Sequence, residues 1–152
     1  MMKIRSFQKG DLNECIKIIK ETLGEYNAKK AKKDFLEGIH PKTKEYTYLK
    51  RFVALKDKKI IGIAGVYTLV THTQKFAGIC WYGVKPECQG EGTGKLLLLK
   101  IENIAKKAKK KIFFVWAIKK AVHFYEKFGF KVNKKIKLKP KESNILMIKN
   151  LK

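Results

Sequence analysis

Gly90, Gly92 and Gly94 stand at every second position of the stretch QGEGTGK (Gln89 to Lys95), between a strand-like segment, Phe76 to Val84, and a helical pattern, Lys95 to Lys110. The first amides of a helix lack intrahelical partners and carry about half a positive charge from the aligned peptide dipoles. Successive N–H groups at such a junction cradle a phosphate or pyrophosphate, and glycine lets the anion approach the backbone. A tight turn without a ligand explains a lone glycine. Three alternating ones each lose conformational entropy on ordering, which favours the ligand.

Two nucleotide-binding patterns are excluded by spacing. A dinucleotide fingerprint reads GxGxxG, with an acidic residue about 20 positions later, whereas the order here is Gly90-x-Gly92-x-Gly94. A phosphate loop of the GxxxxGK[ST] type is absent.

The pattern Gln89-Gly90-Glu91-Gly92-Thr93-Gly94, following a strand that ends Val84-Lys85-Pro86, resembles the QxxGxG pyrophosphate loop of the GNAT superfamily of acetyl-CoA-dependent N-acetyltransferases. Phe124 to Phe130 (FYEKFGF) resembles that family's FYEKxGF segment, in order after the helix and strand expected between them. With the early strand–turn–strand FVALKDKKIIGIAGV, the resemblance covers nearly the whole chain.

The resemblance implies an α/β fold with a GNAT-like mixed sheet of about six or seven strands, splayed in the middle, with helices on both faces. It implies acetyl-CoA as the acyl donor. The pantetheine arm is expected in a V-shaped opening between Phe76–Val84 and Lys111–Ala117, paired to backbone near Val84. The pyrophosphate is expected on amides of Gln89, Gly90, Glu91, Gly92, Thr93, Gly94 and Lys95. Tyr125 is implied as the proton donor to the departing thiolate. A core tyrosine sharing one helix face with Val122 and Phe128 is the other reading of that position.

The chain departs from the family pattern twice. Many relatives carry a glutamate base two residues after the aromatic residue that aligns with Phe76, and here that position is Gly78. No acidic residue occurs between Asp57 and Glu87, so a base must come from His72, Tyr82 or Glu21 through water, or the amine loses its proton to solvent. Ile118 stands where relatives place an asparagine that bonds the cofactor arm. The alternative activity class is therefore a CoA-binding or basic nucleic-acid-associated module of the same fold without turnover.

The expected acceptor is a primary amine, small or protein-borne. Seven of the thirteen acidic residues, Asp11, Glu14, Glu21, Glu25, Asp34, Glu37 and Glu45, lie in the first 45 positions, which the resemblance makes the acceptor side of the cleft. Attraction of a cationic amine and a solvated helix face both account for them. The formal net charge of +23 would draw acidic partners, including nucleic acid or a ribosomal acceptor, but it fits a charge-rich surface of the kind found at high temperature somewhat better. The clusters Lys106-Lys107, Lys109 to Lys111 and Lys134-Lys135 with Lys137 and Lys139 lack interleaved aromatics, so sequence-specific RNA readout is unsupported.

The elements that position these residues follow from periodicity. Lys3 to Phe7 alternates as a strand, and Asp11 stands as the N-cap of an amphipathic helix, Leu12 to about Gly24. A second helix is expected over Lys29 to Leu36, then a polar connection through Gly38, His40 and Pro41. Strands Phe52–Leu55, Ile60–Val70 and Phe76–Val84 form an antiparallel meander. The long helix, the strand Lys111–Ala117, a short helix Lys119–Phe128 closed by Gly129, and strands near Lys131–Leu138 and Ile145–Ile148 complete the order.

A length of 152 residues suits one domain spanning the chain. The longest apolar run, Ile112 to Ile118, is too short to cross a bilayer, and no signal-peptide core begins the sequence, so a cytoplasmic protein is expected. Cys15, Cys80 and Cys88 have neither CxxC spacing nor a suitably placed histidine, which predicts reduced thiols and no metal. The oligomeric state stands open between monomer and homodimer.

Overall fold

The computed structural model describes residues 2–36, 46–69, 75–134 and 144–152. The polar connection through Gly38, His40 and Pro41, the candidate base His72, and Lys135, Lys137 and Lys139 lie outside the described residues.

The chain runs β1 (Met2–Ser6), α1 (Leu12–Leu23), α2 (Glu25–Leu36), β2 (Tyr46–Lys56), β3 (Lys59–Leu69), β4 (Phe76–Val84), α3 (Thr93–Lys107), β5 (Ile112–Ala117), α4 (Val122–Lys127), β6 (Lys131–Val132) and β7 (Ile145–Asn150). The strands form one seven-stranded sheet in the order β1-β2-β3-β4-β5-β7-β6. Every neighbouring pair is antiparallel except β4 and β5. This is the mixed α/β sheet expected from the resemblance.

The helices divide between the two faces. Cys15, Ile18 and Ile19 of α1 and Ala28 and Ala31 of α2 pack on Val53, Ile60 and Ile63. Leu97, Leu98, Ile101 and Ala105 of α3 and Tyr125 of α4 pack on the other face, against Phe52, Ala54, Ile61, Ala64 and Val66. A fully buried Leu or Ile side chain contributes roughly 1.5–3 kcal/mol, so these two apolar layers dominate the stability.

Local chemistry sets the boundaries. Asp57 (φ 51°) and Lys58 (φ 65°) are the two central residues of the β2–β3 hairpin, with Lys56 paired to Lys59. Positive φ at both central positions matches the right-handed twist of the strands. Gly24 (φ 92°) ends α1, and α2 starts at once, Ala28 N–H donating to Gly24 O at 3.0 Å. The second helix therefore begins at Glu25, four residues before the expected Lys29.

Asp11 holds the N-cap position of α1, but its side chain does not cap that helix. Its carboxylate turns back to accept the Gln8 backbone N–H (2.7 Å) and both guanidinium nitrogens of Arg5 (2.7 and 2.9 Å). A bidentate arginine outcompetes a neutral amide for a carboxylate. Hydrogen bonding to Arg5 holds the Asp11 carboxyl below its ordinary range, against the opposing effect of burial.

Among the described residues the β4–β5 seam is the one parallel pairing, and it is short. Its ladder covers three pairs only, Phe76 with Ile112, Ala77 with Phe113 and Gly78 with Phe114. Beyond Gly78, β4 runs on to Val84 along β3, while β5 follows β7 to Ala117. The sheet splays between them.

Candidate active site

A β-bulge lies at the mouth of the splay. Cys80 pairs with Gly65 and Gly83 with Ile63, so Trp81 and Tyr82 together oppose Ala64. Trp81 takes φ 45°, a conformation that costs an aromatic residue of the order of 1–3 kcal/mol. Such a bulge reverses the alternation of side chains along a strand. Ala77 and Ile79 face α3 below it, and Tyr82 and Val84 do so above it. Trp81 instead joins the α1–α2 side, and its indole N–H donates to Asp34 Oδ2 at 3.1 Å.

The glycine loop follows β4. Val84 is buried, and its carbonyl accepts Gln89 Nε2 at 3.0 Å, which ties the loop back to the strand end. Gly90 (φ 83°) and Gly92 (φ 87°) are left-handed, and a Cβ on either would meet nothing within 4 Å. The α3 ladder opens with Leu96 N–H donating to Gly92 O at 3.1 Å, so the amides of Thr93, Gly94 and Lys95 precede it. No acidic residue stands in that first turn. A lysine there, Lys95, opposes the helix dipole unless an anion is present.

The side chains of the loop are largely committed elsewhere. Glu91 pairs with Lys56 at 3.1 Å on the surface. Thr93 is buried, its methyl packed toward Gly62. Gly94 is glycine for a different reason from its neighbours: a Cβ there would stand 2.7 Å from the Tyr82 hydroxyl.

An aromatic cluster forms the adjoining wall. Tyr82 lies 5.8 Å from Phe124 and 6.0 Å from Tyr125 between ring centroids, and Tyr125 lies 5.5 Å from Phe130. The Tyr82 hydroxyl donates to Gly94 O at 2.7 Å. Only 5% of Tyr125 is exposed, and among the described residues no hydrogen bond reaches its hydroxyl, which is not fully buried and so keeps some contact with solvent. Burial pushes both phenols well above the ordinary tyrosine range, with the neighbouring Tyr125 adding to the effect at Tyr82. Tyr82, proposed from sequence among the bases, is thus a protonated hydrogen-bond donor with its proton engaged.

Gly78 sits beneath two rings. A Cβ there would approach Phe114 Cζ to 2.5 Å and Tyr67 Cζ to 2.7 Å. A carboxylate side chain at this position would require both rings to move.

Of the acidic residues of the first helices, Glu14 lies 4.0 Å from Lys85 and Glu25 3.4 Å from Lys20, and Glu21 is exposed. Ile118 is half-buried, and its carbonyl accepts the Ala121 N–H at 2.9 Å as the chain turns into α4. Among the described residues, no three His, Cys, Asp or Glu side chains gather as a metal would need, and no helix is long and apolar enough to cross a membrane.

The sequence profile of the acetyltransferase (GNAT) family matches residues 13–130, from α1 through the glycine loop to the Phe130 that closes the α4 motif. The chain belongs to the GNAT acetyltransferase family. Its fold recurs in solved GNAT structures. A PaiA N-acetyltransferase from Thermoplasma acidophilum, in complex with coenzyme A, is 20% identical over 99% of both chains, with a TM-score of 0.73. A GNAT-family acetyltransferase from Staphylococcus aureus is 17% identical over 100% of both chains, with a TM-score of 0.80. An acetyltransferase from Streptococcus agalactiae is 18% identical over 99% of this chain and 98% of its own, with a TM-score of 0.78. At these identities the likeness is one of fold. No curated protein matches the chain.

Sequence reasoning placed Tyr82 only among the candidate bases and did not single out Trp81. Three aromatic or apolar residues in succession before Gly83 carry no turn signal. The one available clue was that strict alternation from Ala77 would have set Trp81, not Tyr82, against the α3 glycines.

Proposed function

We propose that the chain is an N-acetyltransferase that moves an acetyl group from acetyl-CoA to a primary amine by direct attack in a ternary complex. The observation that carries this reading is a convergence. The open glycine turn with its unladdered amides and the unpartnered Tyr125 hydroxyl adjoin the same splay, linked through Tyr82.

In this reading the amides of Gln89 to Lys95 hold the pyrophosphate by backbone alone, which fits a loop whose Gln89, Glu91 and Thr93 side chains are otherwise engaged. The Val84 end of β4 borders the pantetheine arm. The neutral amine attacks the thioester carbonyl, the new C–N bond forms, and the C–S bond breaks. Tyr125, kept protonated by its raised pKa, donates its hydroxyl hydrogen to the departing sulfur and regains a proton from water once the thiol has left. The attacking nitrogen gives up its extra proton to water, since Gly78 supplies no base.

The chain acts as one domain in the cytoplasm, as a monomer or homodimer, and its charge draws it toward acidic surfaces. The closed Gly78 position favours a second reading, a CoA-binding module without turnover.

Calorimetric titration with acetyl-CoA, desulfo-CoA and ATP, followed by a free-thiol assay with an amine panel, separates the readings. Binding of both pantetheine nucleotides but not ATP, with amine-dependent thiol release, supports the enzyme. Binding without release supports the module, and no binding overturns both.

A further inference from the structure

The bulge at Trp81 and Tyr82 is an expensive way to end a strand. Trp81 adopts φ 45° and β4 loses its regular register, yet neither bulge position holds a glycine that would relieve the strain. Its geometric product is specific: the extra residue swings Tyr82 onto the α3 face. There the hydroxyl meets the carbonyl of Gly94, the second residue of α3, at 2.7 Å, and the ring lies against Phe124 and Tyr125 of α4.

We infer that Tyr82 is the positioning residue of this site, which sets the N-terminal turn of α3 and the Tyr125 ring at one fixed separation. The inference rests on the cofactor reading given under Proposed function. One side chain bridges the two parts that must act on one thioester molecule: the amides proposed to fix its phosphates and the hydroxyl proposed to serve its sulfur. The carbonyl–hydroxyl contact also explains Gly94. A Cβ there would stand 2.7 Å from the Tyr82 oxygen and 3.4 Å from the Phe124 ring, so the hydroxyl could not keep its present contact with the turn. Gly94 thus serves Tyr82, while Gly90 and Gly92 serve the open turn.

Positioning differs measurably from simple packing. Tyr82→Phe keeps the ring and its contacts and removes only the bond to Gly94. It is expected to raise the CoA dissociation constant about fivefold, the scale of one lost neutral hydrogen bond. It is also expected to lower kcat at saturating acetyl-CoA, while the lost bond lowers the thermal midpoint of the free protein by only a few degrees. Gly94→Ala is expected to impair CoA binding in the natural background. In the Tyr82→Phe background it should do so less, because the oxygen that the new methyl would meet is gone; the two changes are then non-additive.

Calorimetric titration of CoA into the wild type, both single variants and the double variant reads all of this out. A wild type that binds no CoA overturns the functional reading and this inference with it. A wild type that binds CoA, with Tyr82→Phe binding equally well or with strictly additive losses, overturns this inference alone and leaves the functional reading standing.

Discussion

The α carbon of Gly78 lies so close under Phe114 that a methyl group added to it would stand 2.5 Å from Cζ of that ring. Phe114 in turn meets Tyr67 edge-on, with centroids 5.6 Å apart, and both rings are buried. The pair fills the space above Gly78 of β4. An acidic side chain at Gly78 would have to displace both rings before it could act as a base.

Gly78→Glu is therefore expected to unfold the sheet seam instead of accelerating the reaction. Overpacking alone costs about 1–3 kcal/mol, and a carboxylate buried between two rings costs more. Gly78→Ala already incurs the first penalty. Urea denaturation of the two variants checks the order: a glutamate variant as stable as the wild type contradicts the closed geometry.

Gly92 tests the loop. A Cβ there meets no protein atom within 4 Å, so the stability effect of Gly92→Ala comes only from its φ of 87° and amounts to about 1 kcal/mol. A larger side chain projects into the space proposed for the pyrophosphate. Gly92→Val is expected to weaken CoA binding by at least tenfold while denaturation shows only modest destabilisation. Unchanged affinity in calorimetry sinks the loop assignment.

Much of this arrangement was readable from sequence because it depends on local rules. β4 spans Phe76 to Val84 as its apolar run predicts, and the glycine turn sits at the strand-to-helix junction. What stayed hidden depends on distant partners. Asp11 reads as a cap because the chain context is that of a cap, but Arg5 takes its carboxylate. β2 starts at Tyr46, six residues before the expected Phe52, because pairing with β3 extends the ladder through Tyr46 and Leu69. Gly78 looks like a missing base, whereas the rings of Tyr67 and Phe114 determine what fits there. The Trp81 bulge defeats pattern reading outright, since no turn residue marks it.

Cys15 is expected to be inert in the folded protein. It lies in the α1–α2 core with no exposed surface, and burial pushes its thiol up to about 12, with the Asp11 charge adding to the shift. Only the thiolate reacts with disulfide reagents. Titration with such a reagent at pH 8 should leave Cys15 unmodified until denaturant is added, as read by mass spectrometry of the digested protein. Labelling of Cys15 in the native state at the rate of a free thiol would falsify the packing described here.

Tyr125 provides the sharpest test of chemistry, because its hydroxyl has no bond among the described residues to lose. Tyr125→Phe removes one oxygen from a ring held by Phe124, Phe130 and Tyr82, so folding and CoA affinity should be close to those of the wild type. General acid contributions run at about 10²–10⁴-fold, and kcat should fall by at least the lower figure. The pH profile adds a signed prediction. The amine must be neutral, so the rate climbs with pH as the acceptor deprotonates. Tyr125 must be protonated, and burial raises its pKa above the ordinary 10.0, so the decline due to its ionisation lies on the alkaline side of that value. Steady-state rates from pH 6 to pH 10 should therefore climb or level off without an alkaline fall, and a fall near pH 9 would contradict the buried, protonated donor. An unchanged kcat in the phenylalanine variant would make Tyr125 a core residue and move the proton donor elsewhere.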